Sequence, residues 1–395
     1  MTQSQVRRWT GTAETQREAP LTAGRNRGAR TKQLPGHGRS HNRSLILQTI
    51  YRGGPGSRAD LSRMTGLTKV TVSDLIADLL ADGLVHELGQ SEPGRPGKPA
   101  TVLDLNRDAF QIIGIDLSDD AVLRGAILDV DGEIIDRAEL PLAGATGDET
   151  TRLVTELLAQ LSALATSPVL GVGVGSPGIV DGRGTVLASQ NLSWRDEPLR
   201  DLLEAASGLP VSVSNDANAA VIAEHSFGDA GGDLMLVTVG HGVGAGLIVG
   251  GSLVYGSRYA AGELGQVMVG TDLGPGAPYS REHVLESWLS VPRLREKIAA
   301  LGADADPTPV LREAGQRLGI ALAPVIGALN LAEVVLSGPP ELIGGALLDA
   351  CVESIRARTM ADFHDSLTVR LTAHGADIVL RGAAALVLSE QLGLS

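Results

Sequence analysis

The sequence predicts an α/β chain in two parts. A winged helix-turn-helix covers residues 42–106, and a duplicated two-lobed α/β domain covers residues 107–395. Three observations carry this. Residues 57–82, "SRADLSRMTGLTKVTVSDLIADLLAD", hold two capped helices around a glycine turn, with two short apolar strands behind them. From Phe110 onward, three adjacent strands lead into alternating helices and strands, and this pattern occurs twice. Charge divides along the same line. Residues 1–43 hold nine Lys/Arg against two Asp/Glu, residues 44–100 hold six of each, and residues 101–395 hold eighteen against thirty-eight.

The chain opens on a basic arm, residues 1–41, without apolar periodicity, which reads as disordered. Such an arm suits nucleic-acid contact. A solubilising tail or a translation leader has the same composition. From Asn42 the pattern turns helical. Leu45, Ile46, Ile50 and Tyr51 share one face, and the helix stops at "RGGPGS". Ser57 and Asp60 then form a capping box. That helix carries Leu61 and Met64 and ends at Gly66, which suits the turn between two helices. Thr68 caps a third helix, whose Val72, Ile76, Leu79 and Leu80 follow helical spacing. Its free face shows Lys69, Thr71, Ser73 and Asp74, which can reach base edges or phosphate in a major groove. The strands "LVHELGQ" and "PATVLDL" flank "SEPGRPGK" as a wing. Arg95, between Gly and Pro, is a rigid cation suited to a narrow minor groove, with Lys98 close behind. A helical bundle for protein contact and a proline-fixed linker are the plainer alternatives.

The second part runs through "QIIGIDL", "LRGAILDV" and "GEIIDRAEL", a helix over 149–166, and "VLGVGVGSPGIV". It continues with "VSVSNDANAAVIAEH", two strands around a Gly-rich turn in "LMLVTVGHGVGAGLIVGG", and a long helix over 309–332. The strand "EVVLSGPP" and a last helix over 382–392 complete it. Composition removes several function classes. Aromatics are 3%, too few for a base-stacking surface. No apolar run reaches the roughly 18 residues of a membrane span, and the polar N-terminus lacks a secretory h-region. The single Cys351 excludes an intrachain disulfide and a multi-cysteine metal site. The cytoplasm is the expected compartment, and no membrane partner is expected.

The stretch "LVTVGHGVGAGLIVGGSLVYGSRYAAGELGQVMV", with its glycine spacing and Gly262-Glu263-Leu264-Gly265, resembles the ROK family (repressors, open reading frames and kinases). The likeness spans about residues 42–392. It implies an actin/hexokinase-like fold. The winged helix puts the chain in the regulator branch, similar to xylose and N-acetylglucosamine operon repressors. The resemblance also implies a sugar pocket. Asn215-Asp216 matches a pair that binds sugar hydroxyls, with Asp216 at the position of a kinase's general base. Ser176, Asn191, Glu263 and Glu286 match further sugar contacts. A carboxylate beside an amide is suitable polyol chemistry, although Asn215-Asp216 could simply cap the next helix.

Two cassettes depart from the family pattern. Where a zinc-binding His and three Cys commonly stand, this chain has Gln266, Ala277, Tyr279 and Val284, so no metal is expected. Gln266 can still hydrogen-bond a sugar, and the loop 270–283 must hold its shape by packing or be mobile. In the first phosphate loop, Ser118, Asp119 and Asp120 replace Gly, Gly and Thr. Each carboxylate would oppose a polyphosphate by about 1 kcal/mol per charge pair at ~4 Å, even in bulk water. Both read as solvated turn residues. In the second loop, His241 replaces a Thr among Gly240, Gly242, Gly244 and Gly246. The expectation is therefore a kinase-dead, sugar-responsive repressor of carbohydrate uptake or catabolism genes, without a cofactor and without catalytic residues. It would bind a double-stranded DNA operator as a homodimer or tetramer, and take a sugar or sugar phosphate as effector. An active sugar kinase with a DNA-binding appendage, and a regulator governed by a protein partner, are the alternatives.

Overall fold

The computed structural model describes residues 35–90, 100–228, 230–270, 276–302, 304–360 and 366–394. The basic arm up to residue 34 and the 94–99 segment with Arg95 and Lys98 lie outside these residues.

Helix α1 (Pro35–Gly53) begins ahead of the Asn42 boundary, so residues 35–41 are helical and not part of the arm. The cause is tertiary. Arg39 pairs with Asp78, and Arg43 with Asp82 at 2.7 Å, tying this polar turn to a later helix. Apolar periodicity cannot report such a contact. Strand β1 (Gly56–Ser57) follows, then α2 (Arg58–Thr65) and α3 (Lys69–Ala81). The capping box is formed: the Asp60 N–H donates to Ser57 Oγ, and Asp60 accepts from the Ser57 N–H at 3.0 Å. Gly66 adopts φ 72°, the left-handed conformation that ends α2. Thr68 accepts from the Thr71 N–H at 3.2 Å. Leu61, Val72, Leu75, Ile76 and Leu79 are buried, whereas Met64 is 63% exposed and belongs to no core. Strands β2 (Val85–Gln90) and β3 (Thr101–Leu105) complete a small antiparallel sheet of order β1-β3-β2. β1 is too short to carry a period and was hidden in the "RGGPGS" helix stop.

The larger part holds two five-stranded sheets. The first joins β4 (Gln111–Asp116), β5 (Val122–Leu128) and β6 (Ile134–Pro141) as an antiparallel meander. After α4 (Asp148–Leu164), β7 (Val169–Ser176) pairs parallel to β4. Strands β8 (Ile179–Val180), β9 (Val186–Ser189) and β10 (Trp194–Glu197) form a small separate sheet. Helix α5 (Leu199–Ser207) leads to β11 (Val211–Asn215), parallel to β7. The second sheet follows α6 (Asp216–Phe227). It pairs β12 (Leu234–Val239), β13 (Val243–Val249) and β14 (Ser252–Leu253) antiparallel. Next come α7 (Glu286–Leu289), α8 (Val291–Ala300) and α9 (Thr308–Leu329). Strand β15 (Glu333–Ser337), helices α10 (Pro340–Ile343) and α11 (Ala346–Arg358), and β16 (Thr368–Leu371) follow, the two strands adding parallel to β12. Helix α12 (Ile378–Leu392) closes the chain. The orders β11-β7-β4-β5-β6 and β14-β13-β12-β15-β16 repeat one topology with the same strand senses.

The helices α6 and α12 lie against each other between the two sheets. Glycine permits it. A Cβ on Gly382 of α12 would lie 1.9 Å from the Ala219 carbonyl of α6, and one on Gly173 of β7 would lie 1.9 Å from the Ala383 carbonyl. Gly382 is therefore a packing residue inside the helix, which starts at Ile378, four residues before the expected Gly382. The other end of α12 enters the N-terminal module. Leu388, Leu392 and Leu394 share one buried core with Ile46, Leu47 and Ile50 of α1 and with Ile112 and Leu128 of the first sheet. Each such aliphatic side chain contributes about 1.5–3 kcal/mol on burial. The N-terminal module is thus packed onto the helix that spans the two sheets.

Candidate functional site

Parallel strands commonly gather ligand-binding groups at their carboxyl ends. Here β4 ends at Asp116, β7 at Ser176 and β11 at Asn215. The register sets Asp116 beside Gly175 and Ser176 beside Asn215. Asp216 follows as the first residue of α6. Asn215 caps that helix, its side-chain carbonyl accepting from the Asn218 N–H at 3.1 Å. Its amide donates to the Gly178 carbonyl and to Asp216 Oδ1, both at 2.9 Å. The capping role and the pocket role therefore meet in one residue. Asn215 uses its donors inside the protein and aims Asp216. Asp216 Oδ1 also accepts from the Ala217 N–H at 2.9 Å. Its Oδ2 has no protein partner among the described residues and is free for a ligand hydroxyl.

Burial pushes the Asp216 carboxyl up to about 7; the Ala217 N–H opposes this, while the Asp116 and Glu263 charges add to it. A carboxyl so poised can hold or release a proton near neutrality. Asp116 is 2% exposed and is also raised by burial, against the Ser118 N–H it accepts at 2.9 Å.

The second sheet supplies the facing groups. Glu263 precedes the tight turn Leu264–Gln266. It is open to solvent on one side, yet crowding by the protein and the Glu286 charge raise its carboxyl. Glu286, at the start of α7, accepts from the Val243 N–H at 3.0 Å and from Gln266 Nε2 at 3.3 Å. Tyr279 Oη donates to Gln266 Oε1 at 3.3 Å. Two of the positions considered for metal ligands are thus joined by a hydrogen bond instead. Val284 is buried and bridges to Met268, which helps hold the described part of the 270–283 loop by packing; residues 271–275 lie outside the described residues. The Trp288 ring in α7 is stacked on by Lys297 and Arg317, 3.4 and 3.5 Å from its centroid.

Two expected sugar contacts stand apart from this cluster. Ser176 is fully buried, with its Oγ donating to the Pro177 carbonyl at 3.2 Å, so it shapes the strand end and presents no free hydroxyl. Asn191 is exposed in the turn before β10.

The two glycine-loop positions behave otherwise than expected. Asp119 is no loose turn residue. Its Oδ1 accepts from the Ala121 N–H at 2.8 Å, and its Oδ2 pairs with Arg124 at 2.9 Å. Asp120 is not merely solvated either: its Oδ2 meets His241 Nε2 at 2.7 Å. The partners are 121 residues apart, and no local pattern links them. The hint available was that both phosphate loops depart from pattern at once.

On the N-terminal module, Lys69 and Ser73 of α3 are exposed, as is Asp74. Thr71 is half-buried, and its hydroxyl lies 2.9 Å from that of Thr68, so part of its hydrogen-bonding capacity serves the cap. Val70, on the same first turn, is 70% exposed. An exposed valine between polar neighbours was legible, but helical periodicity directs attention to the buried face.

Among the described residues, no helix is long and apolar enough to cross a membrane, and no group of three or more His, Cys, Asp or Glu converges on a metal position. Residues 112–390 match the model of the ROK family. A xylose repressor of Caldicellulosiruptor bescii is 28% identical over 387 residues, covering 89% of this chain and 96% of the relative. A solved ROK family transcriptional regulator, a homologue of the Escherichia coli Mlc protein, superposes with a TM-score of 0.79 at 23% identity, covering 91% of this chain and 98% of the other. A ROK glucokinase from Streptomyces griseus, solved with glucose and AMPPNP, gives a TM-score of 0.60 at 27% identity, covering 70% and 98%. The glucokinase likeness leaves about the length of the N-terminal module uncovered, whereas the regulators span nearly the whole chain. With the family model matched over both five-stranded sheets, the chain belongs to the ROK family.

Proposed function

We propose that this chain is a transcriptional regulator, a repressor of carbohydrate uptake or catabolism genes, whose actin/hexokinase-like lobes sense a sugar and do not phosphorylate it. The observation that carries this is the shared core of α1 and α12. Helices α6 and α12 pack against each other between the two sheets, and α12 is packed into the N-terminal module, so a change between the lobes would be felt there. Residues 42–106 then act as a winged helix-turn-helix, with α3 entering the major groove and Lys69, Thr71 and Ser73 facing DNA. Arg95 and Lys98 would extend that contact into the wing. A two-fold dimer, or a tetramer built from it, would read a palindromic operator with half-sites a whole number of helical turns apart.

In the pocket, Asp216 Oδ2 accepts from a ligand hydroxyl. Asn215 fixes the carboxylate, Glu263, Glu286 and Gln266 line the facing wall, Ser176 shapes the end of β7 beside Asn215, and Asn191 belongs to a bordering turn. The ligand shifts the lobes only to the extent that it binds one arrangement better. The turn carrying Asp119 and Asp120 offers carboxylates where a phosphate would need N–H donors, which supports sensing without phosphoryl transfer.

One observation favours a second reading. Asp216, poised near neutrality, together with the retained Gly240, Gly242, Gly244 and Gly246, is what a sugar kinase would need. A thermal-shift screen with sugars and sugar phosphates, run beside a coupled phosphorylation assay on the same panel, separates the two. A sensor is stabilised by one of these ligands, loses that response in Asp216→Ala, and forms no sugar phosphate from ATP. Turnover of any hexose would establish the kinase instead.

A further inference from the structure

The contact between Asp120 and His241 joins two turns that belong to different sheets. Asp120 lies between β4 and β5 of the first sheet, and His241 between β12 and β13 of the second. Their side chains meet at 2.7 Å, and each is a little under half exposed. The surrounding turns are built to present them. Asp119 holds its own turn in shape by accepting from the Ala121 and Val122 N–H groups and by pairing with Arg124. That leaves the next residue, Asp120, to reach outward. On the other side, the Gly240 N–H donates to the Gly242 carbonyl at 3.0 Å, and the Val291 N–H donates to the Gly240 carbonyl at 2.8 Å. Glu286 anchors the Val243 N–H directly behind. The loop is thus held from α7 and α8, with the imidazole left to project. Asp119 is already engaged by Arg124, and Glu286 by the Val243 N–H and Gln266.

We propose that Asp120 and His241 form a resident tie between the two lobes, and that this tie biases the cleft toward the closed arrangement that retains ligand. The proposal rests on the sensing function set out above only for the word ligand; the tie itself is a property of the protein alone. In an enzyme that used a nucleotide, a polyphosphate lying between these turns would draw the lobes together. Here one carboxylate and one imidazole of the chain meet in that space, so closure needs no second ligand. The exposed setting makes the tie weak, worth at most about a fivefold change in an equilibrium. Weakness suits the role. A stronger bridge would hold the lobes in one state and leave a sugar little to shift.

The test is amide hydrogen exchange over residues 117–122 and 240–243 in the sugar-free full chain, comparing wild type, Asp120→Ala, His241→Ala and the double variant. The tie predicts that each single change speeds exchange in both segments, including the one it does not touch. The double variant should add nothing further. Faster exchange confined to the mutated segment, or effects that sum, would overturn the tie. Affinity for a sugar that stabilises the wild type is then measured on the same four proteins. A loss of up to about fivefold in each single variant, no greater in the double, is expected. Unchanged affinity alongside altered exchange would overturn the bias toward closure. If no sugar binds the wild type, the sensing function fails, and the exchange result still decides whether the tie exists.

Discussion

Replacing Asp216 by Asn should stabilise the protein, and more so at higher pH. The variant keeps an acceptor for the Ala217 N–H and removes the ionisation. In the folded protein the carboxyl holds its proton up to about 7, against the 3.8 of an ordinary aspartate. Between these values the folded state binds more protons than the unfolded one, so stability falls as pH rises. The loss begins near the unfolded value and is complete above the folded one. The gap corresponds to a ceiling of about 4 kcal/mol. Asp216 is half-buried and not fully enclosed, and solvent screening reduces that figure. An advantage of Asp216→Asn over wild type that grows by about 1–2.5 kcal/mol between pH 5 and pH 8 is expected. Urea melts of both proteins at the two pH values measure it. Parallel pH dependence in the two proteins, or a wild type more stable than the variant at pH 8, would refute the placement of Asp216 as a strained, buried carboxyl.

Other expectations concern the DNA-facing turn and the helix pair. Lys69→Ala should weaken operator binding evenly across sequences and lower the salt-dependence slope by about one, read by fluorescence anisotropy over a salt series. Val70 can meet a thymine methyl; replacing the contacted thymine by deoxyuridine should cost wild type about 0.8 kcal/mol and cost Val70→Ala almost nothing. Gly382→Val should lower stability by about 1–3 kcal/mol or more, because its Cβ would lie 1.9 Å from the Ala219 carbonyl. A thermal melt unchanged by that substitution would mean that α6 and α12 are not held at this spacing.

What the sequence discloses depends on the range of the interaction. The α2–α3 pair is legible because its signals are local: the Ser57–Asp60 box, Gly66 and the Thr68 cap lie within a few residues of the helices they delimit. The paired sheets are legible from recurrent apolar strands. The start of α1 is not, because Arg39 and Arg43 find their partners on α3 and at its C-terminal cap, about forty residues away. β1 is not, because two residues carry no period. In the pocket, residue types point to Asn215, Asp216, Glu263 and Glu286, but not to how their bonds are shared. Only the structure shows that Asn215 uses its amide on Gly178 and Asp216, that the Ser176 hydroxyl is enclosed, and that Gln266 connects Glu286 to Tyr279. Asp120 and His241 each look like a lost function in sequence, and they become partners only when the two sheets are brought face to face.

Ligand between the lobes should be felt at the DNA-binding module through α6 and α12. Operator affinity, measured by anisotropy with and without a sugar that stabilises the protein, tests it most directly. A sugar-dependent change of about 5- to 150-fold is the usual range of coupling between sites. The wild type should fall within it, while Asp216→Ala keeps the sugar-free affinity and loses the change. Operator affinity indifferent to a bound sugar, or an Asp216→Ala protein that still responds, would contradict the account.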